Sequence, residues 1–175
     1  AVEVWNGPWT LDDEVALATW DGLLVAARRG GTWLPAVGNS DAHREPQVVG
    51  LPHNVVHAER LEREAILGGV RRGRSWIAES SRVQLALTAS VGGRQATLGD
   101  RLEVDADQTV TVSLEATGAE GALVRLISDR GQVLESTLPA TGTGSLTWTT
   151  EPRLSAYVRA EIRRPEPTAT TATTL

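Results

Sequence analysis

Short runs of alternating apolar and polar residues separate two longer segments with helical spacing in the first part of the chain. Alternation with a period of two is typical of strands, and apolar residues three and four apart are typical of a helix that packs on one face. The patterns predict strands over 2–6, 33–38 and 75–79 and helices over 10–29 and 59–72. This alternating order of strands and helices is typical of a parallel sheet or a barrel.

The pattern changes after Ser81, where strand-like alternation replaces helical spacing. Alternating segments lie at 83–87, 110–114, 123–127, 146–148 and 157–162, and turns that contain glycine separate them. Short strands at such spacing predict a small antiparallel β-sandwich. We therefore expect a first unit over 1–81 and a sandwich over 82–164. The Pro/Thr/Ala-rich stretch 165–175 is expected to be a disordered or linker tail.

Composition narrows the range of partners. The chain of 175 residues has 17 arginines, no lysine and a net charge of −5, which gives no support for nucleic-acid binding. No apolar stretch approaches the roughly 20 residues of a membrane-spanning helix, and there is no signal-peptide pattern, so no membrane partner is expected. Because cysteine is absent, any metal must use histidine and carboxylate ligands. The lack of cysteine is also compatible with export, without showing it.

The chain opens directly inside the strand-like segment Val2–Trp5, and it contains neither methionine nor phenylalanine. We expect it to be the C-terminal part of a longer polypeptide, with a small protein trimmed of its first residue as the alternative.

The segment Val37–His43 is an apolar run that ends in Asp-x-His. In an extended segment, residues two apart point to the same face, so Asp41 and His43 are expected to present a carboxylate oxygen and an imidazole nitrogen side by side. Such a pair suits a borderline divalent metal such as zinc, manganese or iron. Taken alone the motif is short, and a surface turn is the alternative.

Other short segments along the chain occur in the same order as in one known family, together with this motif. They are the segment 2–9, Ala16-Leu17, Trp20-Asp21, Leu23-Leu24, the segment 38–44, Val49–Pro52, Ala65–Leu67 and Arg72–Arg74. Together they resemble the polymerase and histidinol phosphatase (PHP) superfamily of metallohydrolases, in particular its carbaryl-hydrolase-like branch. The resemblance covers residues 2–80, and the segment after Ser81 is similar, with lower specificity, to the C-terminal module of that branch.

The resemblance implies an α/β fold: the C-terminal part of a distorted PHP-type β/α barrel, followed by the sandwich. It implies two or three divalent metal ions (Zn, Mn or Fe), with Asp41 on one ion and His43 on another. The remaining ligands would lie in an upstream part of the same polypeptide. The complete protein would cleave phosphoester, carboxylic ester or carbamate bonds of a small molecule with a metal-bound hydroxide, and this chain alone would be inactive.

Three further side chains are candidates for substrate or supporting contacts. Asn6 follows a strand end, where such contacts are common. Arg44 could bind an anionic group, with an ion pair to Glu45 as the alternative. His53 is expected on a loop over the site, with an ordinary exposed histidine as the alternative. The competing function is non-catalytic: a degenerate barrel whose sandwich binds carbohydrate or protein.

Overall fold

The computed structural model describes residues 1–164, and the predicted tail 165–175 lies outside the described residues. The secondary structure is mostly β. The elements are β1 (Val2–Asn6), α1 (Leu11–Arg28), β2 (Ala36–Asn39), β3 (His53–Val56), α2 (Arg63–Arg72), β4 (Ser75–Ala78), β5 (Gln84–Val91), β6 (Arg94–Thr97), β7 (Val110–Thr117), β8 (Leu123–Ser128), β9 (Gly131–Thr137), β10 (Gly144–Thr150) and β11 (Val158–Arg163). Neither helix is long and apolar enough to cross a membrane.

The β1–α1–β2 segment forms one parallel unit, in which β1 and β2 pair directly. Asp13 fixes the turn from strand to helix, because its carboxylate accepts the backbone N–H of Asn6 at 2.9 Å and that of Thr10 at 2.6 Å. Asp13 is only 5 % exposed, so these donors satisfy a buried charge at the positive end of the helix. Thr10 and Asp13 form a capping box at the start of α1.

The expected β/α barrel is wrong. Within residues 1–164 there is no closed barrel, and the first part of the chain holds two separate two-stranded sheets. The reason is β3, a strand inside the segment expected to be a loop. It pairs with β4 in antiparallel fashion, so the strand after α2 does not continue the parallel β1–β2 pair. A parallel barrel needs every helix crossover to return a strand in the same direction, and the α2 crossover does not.

A side chain joins the two small sheets. The Asn54 amide of β3 accepts the Gly38 N–H at 3.1 Å and donates to the Gly38 carbonyl at 2.6 Å. It therefore satisfies both backbone groups of a β2 residue, as a neighbouring strand would. Gly38 must stay without a side chain, since a Cβ there would lie 2.5 Å from Cγ2 of Ile77.

Strands β5–β11 form two antiparallel sheets with the orders β10-β7-β5-β6 and β11-β8-β9. Their facing residues share one apolar core, in which Leu114 of the first sheet and Leu126 of the second are fully buried. Alternate residues of β7, and Val124 and Leu126 of β8, point inward, which is the periodicity that predicted these strands.

Charged side chains connect α1 to β11. Arg159 donates two hydrogen bonds to the Asp21 carboxylate, at 2.6 and 2.8 Å, and one to Glu161 at 2.5 Å. Arg163 pairs with Glu14 and stacks over the Trp9 ring at 4.7 Å. A cavity of about 1670 Å³ lies beside these contacts, between α1 and the sheets.

Candidate functional site

The carboxyl ends of β1 and β2 lie at one edge because the two strands are parallel. Asn6 is in register with Asn39, the last residue of β2, and the Gly7 N–H donates to the Asn39 carbonyl at 2.8 Å. The Asn39 side chain donates in turn to Glu3 at 2.6 Å. Polar groups that follow this edge, including the Asp-x-His motif, therefore leave the sheet from a fixed backbone.

Asp41 and His43 lie together, but for a different reason from the one the spacing suggested. The strand ends at Asn39, and Asp41 has a φ of 48°, in the left-handed region. The same-face rule for strands does not apply there. Instead, a turn carries the His43 ring back, so that its Nδ1 lies 2.6 Å from the Asp41 backbone oxygen and 3.4 Å from Asp41 Oδ1.

The contact with the backbone sets the tautomer of His43. A carbonyl oxygen can only accept, so the proton of the neutral ring is on Nδ1 and the lone pair is on Nε2. Metal-ligating histidines commonly donate their other ring N–H to a backbone carbonyl in this way. The His43 and Asp41 side chains are 74 % and 56 % exposed, so Nε2 and the carboxylate are both accessible.

Gln47 holds the loop that carries His43, and the sequence analysis missed it. Its Oε1 accepts the backbone N–H groups of His43 at 2.7 Å and Arg44 at 3.0 Å, and its own N–H donates to the Arg44 carbonyl at 2.9 Å. The signal available in the sequence was an amide side chain directly after Pro46, within a short polar turn.

His53 reaches the same edge from β3. It is in register with Ala78 at the end of β4, and the next residue, Asn54, bonds to Gly38 beside the end of β2. Its Nδ1 lies 3.0 Å from the Gly50 carbonyl, so it too presents Nε2 as the lone pair of the neutral ring. Both histidines at this edge thus have the tautomer that binds metal through Nε2.

The side chains of Asn6, at the end of β1, and of Arg44, in the loop after β2, are both exposed. The backbone of Asn6 is fixed by Asp13, whereas its side chain faces solvent. Within residues 1–164 no ion pair joins Arg44 to Glu45, so the alternative role considered for Arg44 is not seen in the described residues.

A carboxylate and imidazole nitrogens are donors that zinc, manganese and iron accept, so Asp41, His43 and His53 fit such an ion by chemistry. These residues are too few for a complete metal site. In the described part of the chain, no group of three His, Asp or Glu side chains is placed to hold one metal. None of these residues lines the large cavity beside α1. The edge is an open surface that carries side chains of metal-binding type without a complete set of ligands.

Comparison with known proteins gives no support for any family. No family model, no curated protein and no solved structure matches the chain.

Proposed function

We propose that this chain is the part of a metal-dependent hydrolase that carries Asp41 and His43 as metal ligands. The observation that supports this most directly is the 2.6 Å contact of His43 Nδ1 with the Asp41 carbonyl, which leaves Nε2 free to bind. The ring nitrogens point in different directions, and the carboxylate lies on the Nδ1 side at 3.4 Å. This arrangement favours separate divalent ions (Zn, Mn or Fe) for the two side chains.

When bound, such ions supply an activated water and a Lewis acid for an ester or phosphoester of a small molecule. The chain's own residues position the metal ligands and bind the substrate. Gln47 fixes the backbone of His43 through its 2.7 Å hydrogen bond, and the Asp41 carbonyl holds the ring. Exposed Arg44 offers a fork of donors to an anionic substrate group, and His53 adds a further nitrogen at the edge.

The remaining ligands must come from elsewhere, since the described residues place no third ligand with these two. We propose that an upstream part of the same polypeptide supplies them. A structural or catalytic zinc ion uses three or four protein ligands, and two exposed ones bind weakly. The 175-residue chain by itself is therefore expected to bind metal weakly and to be catalytically inert.

The test combines metal titration with single substitutions. Zn²⁺ and Mn²⁺ are titrated by calorimetry into the 175-residue chain and into its D41A, H43A and H57A variants. His57 follows the far end of β3 from His53, so H57A is the matched control. We expect weak binding that D41A and H43A each reduce at least about tenfold, the usual loss for a missing ligand or its support, and that H57A leaves unchanged.

In the complete polypeptide, D41A and H43A are expected to lower the metal content and to abolish hydrolysis of p-nitrophenyl phosphate or p-nitrophenyl acetate, with the circular dichroism spectrum retained. Full metal occupancy and normal turnover in both variants would refute the assignment. Tight metal binding and ester hydrolysis by a single species of 18.7 kDa, checked by mass spectrometry, would refute the need for upstream ligands.

One observation favours the second candidate, a carbohydrate-binding sandwich. The outer face of the four-stranded sheet carries two adjacent uncharged rows of hydroxyl and amide side chains. By register the rows are Thr147, Ser113, Thr88 and Thr97, and Thr149, Thr111, Ser90 and Gln95. Such a face can exchange hydrogen bonds with a polysaccharide surface.

This candidate is tested by co-sedimentation of the chain with insoluble cellulose and chitin. The double variant T147A/S113A should reduce the bound fraction severalfold, whereas T141A, in a turn outside the face, should not. Absence of binding to both polymers argues against the carbohydrate-binding function. Asp41 does not lie on this face, so D41A should bind both polymers like the wild type.

A further inference from the structure

The charged side chains in the middle of helix α1 face the protein and not the solvent. Asp13 is buried at the start of the helix, Glu14 pairs with Arg163, and Asp21 pairs with Arg159. From residue 13 to residue 27 the helix has no other charge. A surface helix ordinarily has the opposite arrangement, with its charged side chains towards water.

The solvent side of α1 is instead apolar. Residues three and four apart lie on one face of a helix, and this spacing places a row of exposed residues opposite the buried ones: Leu11, Val15, Ala18, Gly22 and Ala26. Leu11 is 83 % exposed and Val15 is 67 % exposed. Beside the row, the Thr19 hydroxyl donates to the Val15 carbonyl at 2.8 Å, so its proton is already bonded within the helix. This row is the α1 face.

Gly22, in the middle of the α1 face, packs on nothing within the chain. A Cβ at this position would meet no atom within 4 Å, and the backbone is helical, so the fold of the single chain does not need a glycine here. Glycine in a helix interior costs about 1 kcal/mol relative to alanine. What glycine does permit is a close approach of another backbone or side chain. The position therefore indicates that something outside the chain packs on the helix.

The α1 face is complementary in shape to a second copy of itself in antiparallel orientation. Its large residues, Leu11 and Val15, lie in the N-terminal half, and its small residues, Ala18, Gly22 and Ala26, lie in the C-terminal half. An antiparallel pair places Val15 of each copy over Gly22 of the other. The same register places Leu11 of each copy over Ala26 of the other. Because a two-fold axis repeats every contact, large side chains meet small ones at both ends.

The charges at the two ends of the face agree with this orientation. Asp12 is exposed beside the face in the first turn, and Arg29 is exposed just after the last turn. Neither forms an ion pair within residues 1–164. In the antiparallel pair, Arg29 of one copy lies about one helical turn from Asp12 of the other, whereas a parallel pair would bring like charges together.

We propose that the α1 face is the interface of a symmetric homodimer in which two copies of α1 pack antiparallel. The helix has 18 residues and is about 27 Å long. One helix pair of this length buries a small area, so the dimer is weak and depends on concentration. The proposal is independent of the metal site, because Asp41 and His43 lie in the loop after β2 and not on α1.

Sedimentation velocity on the 175-residue chain, from low micromolar to millimolar concentration, tests the proposal. We expect the sedimentation coefficient to rise from that of a monomer to that of a dimer. V15E places an unpaired charge in the contact at two symmetric positions, and should weaken the dimer at least about tenfold. G22L fills the space over the helix and should do the same. Both changes introduce better helix formers at exposed positions, so the chain should stay folded, as circular dichroism will check.

The orientation is tested by a charge exchange. D12R alone should weaken the dimer, because it places two arginines near each other, and D12R/R29D should restore it. The matched control for V15E is L61E, because Leu61 is 95 % exposed and lies outside α1; it should dimerise like the wild type.

The proposal is wrong if the chain stays a monomer at every concentration, which would leave a different protein as the occupant of the face. It is equally wrong if folded V15E and G22L dimerise like the wild type. Loss of the dimer in L61E as well would indicate non-specific association of apolar surfaces and would also overturn it. Failure of D12R/R29D to restore the dimer would exclude the antiparallel arrangement.

Discussion

The link between α1 and β11 allows a quantitative test of how the helix is held. We consider R159M, which removes the guanidinium and keeps most of the apolar stem. The Arg159 side chain is 11 % exposed, and its partners Asp21 and Glu161 are 25 % and 12 % exposed. Burial lowers the pKa of Arg159, but the hydrogen bonds to Asp21 and Glu161 raise it by more, so the group is cationic at all accessible pH values.

The magnitude follows from which carboxylate loses its only positively charged partner. Glu161 keeps a second partner, because Arg163 Nε donates to it at 2.9 Å. Asp21 loses both of its hydrogen bonds from Arg159 and keeps only the one from the Tyr157 hydroxyl, which is neutral. Removal of one partner from a buried ion pair costs about 3–5 kcal/mol, and the partial exposure of Asp21 favours the lower end. A loss of about 3 kcal/mol corresponds to a fall in Tm of about 6–12 °C for a chain of this size.

The assay is urea unfolding followed by the fluorescence of the six tryptophans. D21N and the double variant D21N/R159M complete a double-mutant cycle, in which the double variant should lose less than the sum of the two single variants. The control is R60M, since the Arg60–Glu62 pair is 72 % and 60 % exposed and should contribute less than about 1 kcal/mol. The reasoning is refuted if R159M costs no more than R60M, or if the cycle shows no coupling.

Three further outcomes are expected. Leu114 is fully buried, so L114A should lower the free energy of unfolding by about 2–5 kcal/mol in the same urea assay. The hydrogen bond from Arg163 holds the pKa of Glu14 below its usual range, so Glu14 adds stability above that range and loses it as the pH falls through the lowered pKa; E14Q should flatten the acid limb of a Tm-against-pH curve, and an unchanged limb contradicts this. Residues 82–164 expressed alone should give a β-type circular dichroism spectrum, because the two sheets share one core; a helix-rich or unfolded spectrum counts against a separable unit.

Strand β7, at the centre of the four-stranded sheet, could be predicted because its burial alternates cleanly. In β7 every second residue, from Val110 to Ala116, is buried, and this is the period that the sequence shows. β6 and β9 were missed. They are edge strands, and β9 has no buried residue, so their apolar residues do not alternate strongly enough to be seen.

The arrangement of β3 could not be predicted from its pattern. All four of its residues are half-buried, so no face of the strand is marked as apolar, and Pro52 directly before it indicated a loop. Its place is set by partners distant in the sequence: β4 on one side and, through the Asn54 amide, Gly38 on the other. A single asparagine that takes the place of a neighbouring strand leaves no periodic pattern in the sequence. The antiparallel place of β3 was therefore not foreseen, and the barrel prediction was wrong.

The Asp-x-His pair shows how a spacing argument can name neighbouring residues for the wrong physical reason. Residues two apart point to the same face only where the backbone is extended. The backbone is no longer extended at Asp41, where φ is 48°. Asp is among the residues that tolerate the left-handed conformation, so the same residue type that suggested a ligand also makes the turn possible. This turn brings the Asp41 backbone oxygen within 2.6 Å of His43 Nδ1, and the contact fixes the ring. A strand would have presented both side chains but would have left the imidazole without this acceptor, so the tautomer on which the proposed metal site depends is a property of the turn.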